Sequence, residues 1–200
     1  MFFDPACPWA WMTSRWLMEA AQVRDLDITW SVMSLSVLNE GRDLPEDYRA
    51  MLDRSWSPVR AIVAATADLP EDEANTVRKQ MYDAFGRRIH VDGRGTDDVD
   101  ALVAEVVEEL GLDEGLTEVA RTDAVDAELR ASHQRAIDLV GDDVGTPVVS
   151  VEGTAFFGPV VTPAPKGEAA GRLWDGCLLV AGTPGFYEIK RSRERGPDFS

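Results

Sequence analysis

The stretch Phe3-Asp4-Pro5-Ala6-Cys7-Pro8-Trp9 contains the junction on which the interpretation of the whole chain depends. The apolar start of the chain predicts a short buried strand, and Pro5 ends it because proline has no N–H to donate to a strand ladder. Pro8 then predicts the first turn of a helix that extends to about Val23, since this turn tolerates proline. Cys7 is therefore expected where a strand ends and a helix begins.

This position has a chemical consequence for the Cys7 thiol. Unpaired backbone N–H groups and the positive end of the helix dipole favour an anion at a helix start. Such positions lower a cysteine pKa from about 8.5 to between roughly 3.5 and 7.5, so we expect a reactive thiolate. Pro8 and Trp9 would place a flat apolar wall beside the sulfur, suited to a ligand. A structural cysteine fits the same local pattern, so a second signal is needed.

The elements that follow predict the sheet. Apolar residues alternate from Ile28 to Leu35 and indicate a second strand, and a strand–helix–strand unit of this length predicts a parallel pair. Val148–Val151 and Thr154–Phe157, separated by Glu152-Gly153, predict a hairpin. A last helix is expected from Pro163 or Pro165 to Ala181, and residues 186–190 are expected to form a short strand or a tail.

Between these strand regions the pattern is helical. The predicted helices are Pro45–Trp56, Pro58–Ala67, Glu71–Phe85, Asp97–Leu110 and Asp123–Val140. The order β-α-β, helices, β-β-α predicts an α/β fold of the thioredoxin-like type with a large all-helical insertion. Residues 1–43 and 141–200 would form the thioredoxin-like domain, and residues 44–140 the inserted helical subdomain.

Thr146-Pro147, directly before the third predicted strand, is the second signal. In thioredoxin-like folds this position holds a cis-proline that faces the active cysteine, and the residue before it offers backbone groups to a substrate chain. A trans-proline at a strand start fits the local sequence equally well. The pair Cys7 and Pro147, at the two ends of this element order, is more specific than either residue alone.

Composition limits the classes of partner and compartment. A net charge of −16 argues against nucleic acid and against anionic membrane surfaces as partners. The N-terminus has no basic, apolar secretory signal, so we expect a cytoplasmic protein. Cys177 lies in an apolar stretch of helical length and is expected to be a buried, inert thiol. His90 and His133 are far apart in the sequence without an acidic cluster, so no metal site is predicted.

Longer runs of sequence resemble a known family, the DsbA-like oxidoreductases, and specifically their cytoplasmic actinobacterial branch of mycothiol-dependent reductases or nitroreductases. The resemblance implies mycothiol as a reducing co-substrate, no tightly bound cofactor, and a site lined by Trp9, Asn39, Tyr48 and His90. It is carried by Phe3–Trp9, Thr13–Trp16, Val32–Glu40, Gly86–His90, Gly141–Pro147 and Ala155–Val160.

One position departs from the Cys-Pro-Trp-Cys motif of that family, because Ala10 stands where the resolving cysteine is expected. The enzyme would then work as a monothiol: Cys7 forms a mixed disulfide, and a second thiol molecule resolves it. Its partners would be a low-molecular-weight thiol and a small-molecule or protein disulfide. Two origins of Ala10 stay open, a natural monothiol enzyme and an engineered trapping variant.

Other functions on the same fold stay open at this point. One alternative is a thiol-dependent isomerase or transferase of the hydroxychromene-carboxylate isomerase or kappa-class glutathione transferase type. Another is a non-catalytic binding module that has kept the fold without turnover. A homodimer is likewise left open.

Overall fold

Four short strands form one mixed sheet: β1 (Phe2–Phe3), β2 (Ser31–Val32), β3 (Val148–Val151) and β4 (Thr154–Phe157). The computed structural model describes residues 1–199, and its strand order is β2-β1-β3-β4. Strand β1 runs parallel to β2 and antiparallel to β3, and β3 pairs with β4 as a hairpin. The predicted parallel pair and hairpin are confirmed.

Helices make up most of the remaining structure. They are α1 (Pro8–Ala20), α2 (Leu35–Leu38), α3 (Glu46–Arg54), α4 (Trp56–Thr66), α5 (Glu71–Gly86), α6 (Val99–Glu109), α7 (Leu116–Val119), α8 (Asp126–Val140) and α9 (Gly167–Ala181). A π-helical turn, Arg87–Val91, continues α5. This order confirms a thioredoxin-like fold with a helical insertion, although α2, α7 and the π-helical turn were not predicted.

The second strand is shorter than predicted, because a side chain of α5 replaces part of the expected ladder. The Trp30 N–H donates to Asn75 Oδ1 at 2.7 Å, and Asn75 Nδ2 donates to the Ile28 carbonyl at 3.0 Å. At the other end, Ser34 caps helix α2 and turns the chain away from the sheet. The tail predicted at residues 186–190 contains no strand and is largely exposed.

One hydrophobic cluster joins the sheet to the inserted helices. Phe3 of β1 stacks on Tyr82 of α5 with ring centroids 4.0 Å apart, and Trp11 of α1 meets the same tyrosine edge-on. On the other side of α1, the Trp16 Nε1–H donates to the Ala170 carbonyl of α9 at 3.1 Å. The helices thus share their core with the sheet, and the limits 44–140 of the insertion remain a prediction.

Within residues 1–199, no helix combines the length and the apolar character needed to cross a bilayer.

Candidate active site

Cys7 is the N-cap of helix α1. Its backbone is extended (φ −83°, ψ 111°), Pro8 occupies the first helical position, and the Ala10 N–H donates to Cys7 Sγ at 3.4 Å. The sulfur therefore accepts one of the hydrogen bonds that a helix start leaves unpaired. The predicted junction of strand, cysteine and helix is confirmed.

Asp4 anchors the loop that carries Cys7. Its Oδ1 accepts the Ala6 N–H at 2.8 Å and its Oδ2 accepts the Leu35 N–H at 2.7 Å, while the Cys7 N–H donates to the Asp4 carbonyl at 3.0 Å. The carboxyl group is fully buried, and burial raises its pKa to about 6 in spite of the two backbone hydrogen bonds, which lower it. No role was predicted for Asp4, although an acidic residue directly after an apolar strand was a usable signal.

Thr146 and Pro147 lie against the sulfur. Cys7 Sγ is 3.4 Å from the Thr146 carbonyl oxygen, and the Thr146–Pro147 peptide bond is cis. The Pro147 carbonyl is occupied by the Gly158 N–H at 2.9 Å. The Thr146 hydroxyl is buried and has no hydrogen-bond partner of good geometry within the described residues. Cys7, Thr146 and Pro147 thus form one constellation, with a polar atom that a ligand could satisfy.

The expected lowering of the Cys7 pKa is not observed. Only 5% of the residue is exposed, and burial raises the pKa of its thiol above the ordinary value. Contacts with Thr146 and with the Ala10 and Trp9 amides lower the pKa, and the charge of Asp4 raises it further. The prediction was wrong because it considered the helix start alone, whereas the loss of hydration is the larger effect.

His90 lies in the π-helical turn and supports the loop from the other side. Its Nε2 is 2.9 Å from the Pro5 carbonyl oxygen. Because a carbonyl only accepts, Nε2 carries the hydrogen and Nδ1 has none when the ring is neutral. Burial lowers the pKa of His90 to about 4, against the hydrogen bond to Pro5, which raises it. His90 is therefore a neutral positioning group near Cys7 rather than a cation beside it.

Trp9 and Tyr48 lie on the sides of the same region. Trp9 follows Cys7 in the first turn of α1 and is half-buried, with the Arg193 guanidinium 5.1 Å from its ring centroid. Tyr48, on α3, is 37% exposed. Burial raises the pKa of Tyr48, and the charges of Cys7 and Asp4 raise it further.

Asn39 is not joined to this constellation by a hydrogen bond in the described chain. Its Nδ2 donates to the Leu35 carbonyl at 2.8 Å and closes helix α2. It also lines a cavity of about 200 Å³ together with Glu40, Arg49 and Trp56. A larger cavity of about 370 Å³, bordered by Trp11 and Arg15, lies outside the Cys7 constellation. The binding role of Asn39 stays a prediction.

The chain offers no resolving thiol next to Cys7. Ala10 is fully buried one helical turn after it, and Cys7 and Cys177 are both free. Cys177 is half-buried rather than fully buried as expected, and burial raises the pKa of its thiol.

Among residues 1–199 there is no cluster of three His, Cys, Asp or Glu side chains that could hold a metal ion.

Two further residues reach the site without any signal in the local sequence. Arg193 lies over Trp9, and Phe199 stacks on His90 with ring centroids 5.5 Å apart and planes 27° from parallel. Both belong to the irregular segment that follows α9. No function was predicted for this segment, because its contacts are made with residues about a hundred or more positions away.

A thiol at a helix start, beside a cis-proline in a thioredoxin-like fold, defines the class of thiol-dependent oxidoreductases. Residues 6–191 match the family described as Rv2466c-like, mycothiol-dependent nitroreductase Rv2466c. The chain belongs to that family, a DsbA-like mycothiol-dependent branch, and is an oxidoreductase.

The chain is also similar to two other proteins. The Mycobacterium tuberculosis (strain ATCC 25618 / H37Rv) protein named Uncharacterized protein Rv2286c is 29% identical over 192 residues, which cover 96% of this chain and 80% of that protein. The solved structure of the cytosolic disulfide reductase DsbM from Pseudomonas aeruginosa is similar with a TM-score of 0.50 and 23% identity, over 90% of this chain and 98% of that one. The second likeness concerns the fold.

Proposed function

We propose that this protein reduces disulfides by a monothiol mechanism in which Cys7 is the nucleophile and mycothiol the reductant. The observation that carries the proposal is the position of Cys7 Sγ, at the start of α1 and 3.4 Å from the carbonyl of Thr146. A ligand chain pairing with the Thr146 backbone would bring its sulfur to this thiol. Membership of the mycothiol-dependent family supports the choice of reductant.

The mechanism has two exchange steps. In the first, the Cys7 thiolate attacks one sulfur of the substrate, a Cys7–substrate disulfide forms, and the other half leaves as a thiolate that takes up a proton. In the second, a mycothiol thiolate attacks the substrate sulfur of that mixed disulfide and releases Cys7 as thiolate. Each step breaks one S–S bond and forms one. A further mycothiol molecule reduces the released mixed disulfide.

Burial of Cys7 favours its thiol form, so the site must favour the anion when the reaction starts. The Ala10 N–H already points at the sulfur, and the buried Thr146 hydroxyl is a donor without a partner of good geometry in the described chain. Each unit by which such donors lower the pKa of the thiol corresponds to about 1.4 kcal/mol of free energy in favour of the thiolate. We propose that Thr146 orients substrate and stabilises the anion, and that Trp9 and Tyr48 contact the bound thiol.

The decisive experiment uses a mixed disulfide of mycothiol and a chromophoric aryl thiol as substrate. The wild-type protein should release the aryl thiol once without added mycothiol and repeatedly with it, and mass spectrometry should find mycothiol on Cys7. Cys7→Ser should abolish release, and the matched variant Cys177→Ser should retain it. Absence of a mixed disulfide at Cys7 would favour the binding module instead.

The family description suggests nitroaromatic compounds as a second class of oxidant. Two mycothiol molecules would supply two electrons and two protons, converting a nitro group to a nitroso group and water with formation of mycothiol disulfide. Parallel assays with a nitroaromatic compound and a disulfide would show which of the two classes of oxidant the enzyme reduces. Ring-isomerising turnover that survives Cys7→Ser would point to the isomerase alternative.

We place this activity in the cytoplasm, where mycothiol would be kept reduced. The two free thiols fit a reducing compartment, in which structural disulfides are rare. The name of the similar DsbM structure gives that protein as a cytosolic disulfide reductase.

A further inference from the structure

The segment that follows α9 returns to the face of the molecule that carries the candidate site. Phe199 stacks on His90 and also packs against the main hydrophobic cluster, and Arg193 lies over the ring of Trp9. Between these two contacts, the Asp198 N–H donates to Thr162 Oγ1 at 2.8 Å. We call residues 193–199 the strap.

The two ends of the strap rest on groups that flank Cys7. Trp9 lies two residues after Cys7 in the first turn of α1. His90 holds the carbonyl of Pro5, two residues before Cys7, at 2.9 Å. The strap therefore contacts residues on both sides of the loop whose sulfur faces Thr146, and one of them, Trp9, is proposed above to contact a bound thiol.

The charges of residues 190–199 favour a reversible contact between this segment and the rest of the chain. Lys190, Arg191, Arg193 and Arg195 are four of the 20 basic residues of a chain with net charge −16. With the two acidic residues Glu194 and Asp198 among them, residues 190–199 carry a net charge of +2 (four basic minus two acidic), and the rest of the chain carries −18. The exposed cations of this region are attracted to the acidic remainder of the chain, and salt screens such an attraction. Residues 191–196 are exposed, so the strap is held by a few side-chain contacts and not by burial along its length.

We propose that the strap is an intramolecular cover of the Cys7 site, which a disulfide substrate or mycothiol must displace before it reaches the sulfur. This proposal rests on the proposed function. It assigns Arg193 and Phe199, through their contacts with Trp9 and His90, to regulation of access to the thiol. Displacement of the strap admits water and ligand donors to the site, and both favour the thiolate.

The first test measures access to Cys7 without using catalysis. In a Cys177→Ser background, a variant that ends at Lys190 and the double variant Arg193→Gln, Phe199→Ala should be alkylated by iodoacetamide about tenfold faster than the full chain, because one cation–π and one stacking contact are lost. The matched control is Arg191→Gln, which removes the same charge from a residue that contacts neither Trp9 nor His90 in the described chain. It should change the rate much less than the double variant does, because it removes a screened charge and neither of the two ring contacts.

Two further readouts complete the test. Raising the salt concentration should accelerate alkylation of the full chain and leave the shortened variant unaffected. The KM for the mixed-disulfide substrate should fall in the strap variants while kcat changes little. Thermal unfolding verifies that each variant is folded, and the point variants keep the test valid if the shortened chain is not.

The outcomes separate the two proposals. Equal alkylation rates in the full chain, the shortened variant and the double variant would overturn the strap, even if turnover through Cys7 is observed. Faster alkylation of the strap variants, combined with no mixed disulfide and no turnover, would support the strap as a cover of Cys7 and overturn the proposed function.

Discussion

The sulfur of Cys7 lies 3.4 Å from the carbonyl oxygen of Thr146, a residue 139 positions away in the chain. The neutral thiol donates to that carbonyl and accepts from the Ala10 N–H, so both of its hydrogen-bonding functions are used. A thiolate keeps the second bond and loses the first. In the resting site Cys7 is therefore a neutral thiol. A thiolate needs a hydrogen-bond donor in place of the Thr146 carbonyl, which only accepts, and this donor must come from ligand, water or the Thr146 hydroxyl.

The buried carboxyl group of Asp4 should control the reactivity of Cys7 in a pH-dependent way. Its pKa is about 6, and its negative charge raises the pKa of Cys7, so the effect operates only where Asp4 is ionised. Asp4→Asn should lower the pKa of Cys7 and make alkylation several-fold faster above pH about 6. The wild-type and variant rates should converge below that pH.

The matched control is Asp27→Asn, which removes an exposed carboxylate and should leave the pH profile unchanged. If Asp4→Asn accelerates alkylation equally at all pH values, the effect is a loosened loop and not electrostatics, since the variant also loses one of two backbone anchors.

Introducing a thiol at position 10 should change the proposed monothiol mechanism into a two-cysteine mechanism. Ala10 lies one helical turn after Cys7, and its N–H already reaches the sulfur. In a Cys177→Ser background, reduced Ala10→Cys should release both thiols of a disulfide substrate in a single turnover without mycothiol, because the new thiol attacks the mixed disulfide. Mass spectrometry should then find the protein lighter by two hydrogens.

Ala20→Cys provides the comparison, because it adds a thiol at a buried position at the far end of the same helix. It should behave as the parent protein and stay trapped as the mixed disulfide. Persistent trapping of Ala10→Cys as well would argue that position 10 is not in line with the Cys7–substrate bond.

Gly86 should be required for the packing that supports His90. A Cβ at this position would overlap the ring of Trp11, which cannot move freely because it is buried. Gly86→Ala should therefore lower the free energy of unfolding by about 1–3 kcal/mol. Gly176→Ala, in α9 with open space around it, should raise this free energy by about 0.5–1 kcal/mol, and denaturant titration of the pair would test the assignment. Equal effects would contradict it.

His90 should make the fold sensitive to acid. Its pKa is lowered from 6.5 to about 4 in the folded chain, so the neutral ring is the form that the fold favours. The corresponding stability, about 3 kcal/mol, is fully present above pH about 6.5 and is lost as the pH falls toward 4. Denaturant unfolding across this range should show a smaller acid-side loss for His90→Asn than for the wild type.

Asp4 opposes this effect, because its raised pKa makes stability fall as the pH rises from about 4 to about 6. Asp4→Asn should therefore steepen the acid-side loss and His90→Asn should flatten it. Changes of the same sign in both variants would contradict the two assignments.

Local sequence was sufficient for the features that depend on neighbouring residues. The end of β1 at Pro5, the start of α1 at Pro8 and the hairpin of β3 and β4 follow from proline geometry, apolar alternation and turn residues. The π-helical turn at His90 has no comparable signature, since it depends on how α5 packs. The shortened β2 likewise depends on Asn75, which is remote from it in sequence.

The chain itself therefore determined which sulfur stands at a helix start and that no second thiol follows it one turn later. Only the tertiary structure decided that this sulfur is buried, that its pKa is raised rather than lowered, and that Arg193 and Phe199 contact Trp9 and His90 beside it. The physical reason is that helix capping is a local hydrogen-bonding property, whereas loss of hydration depends on every group that the fold brings over the site.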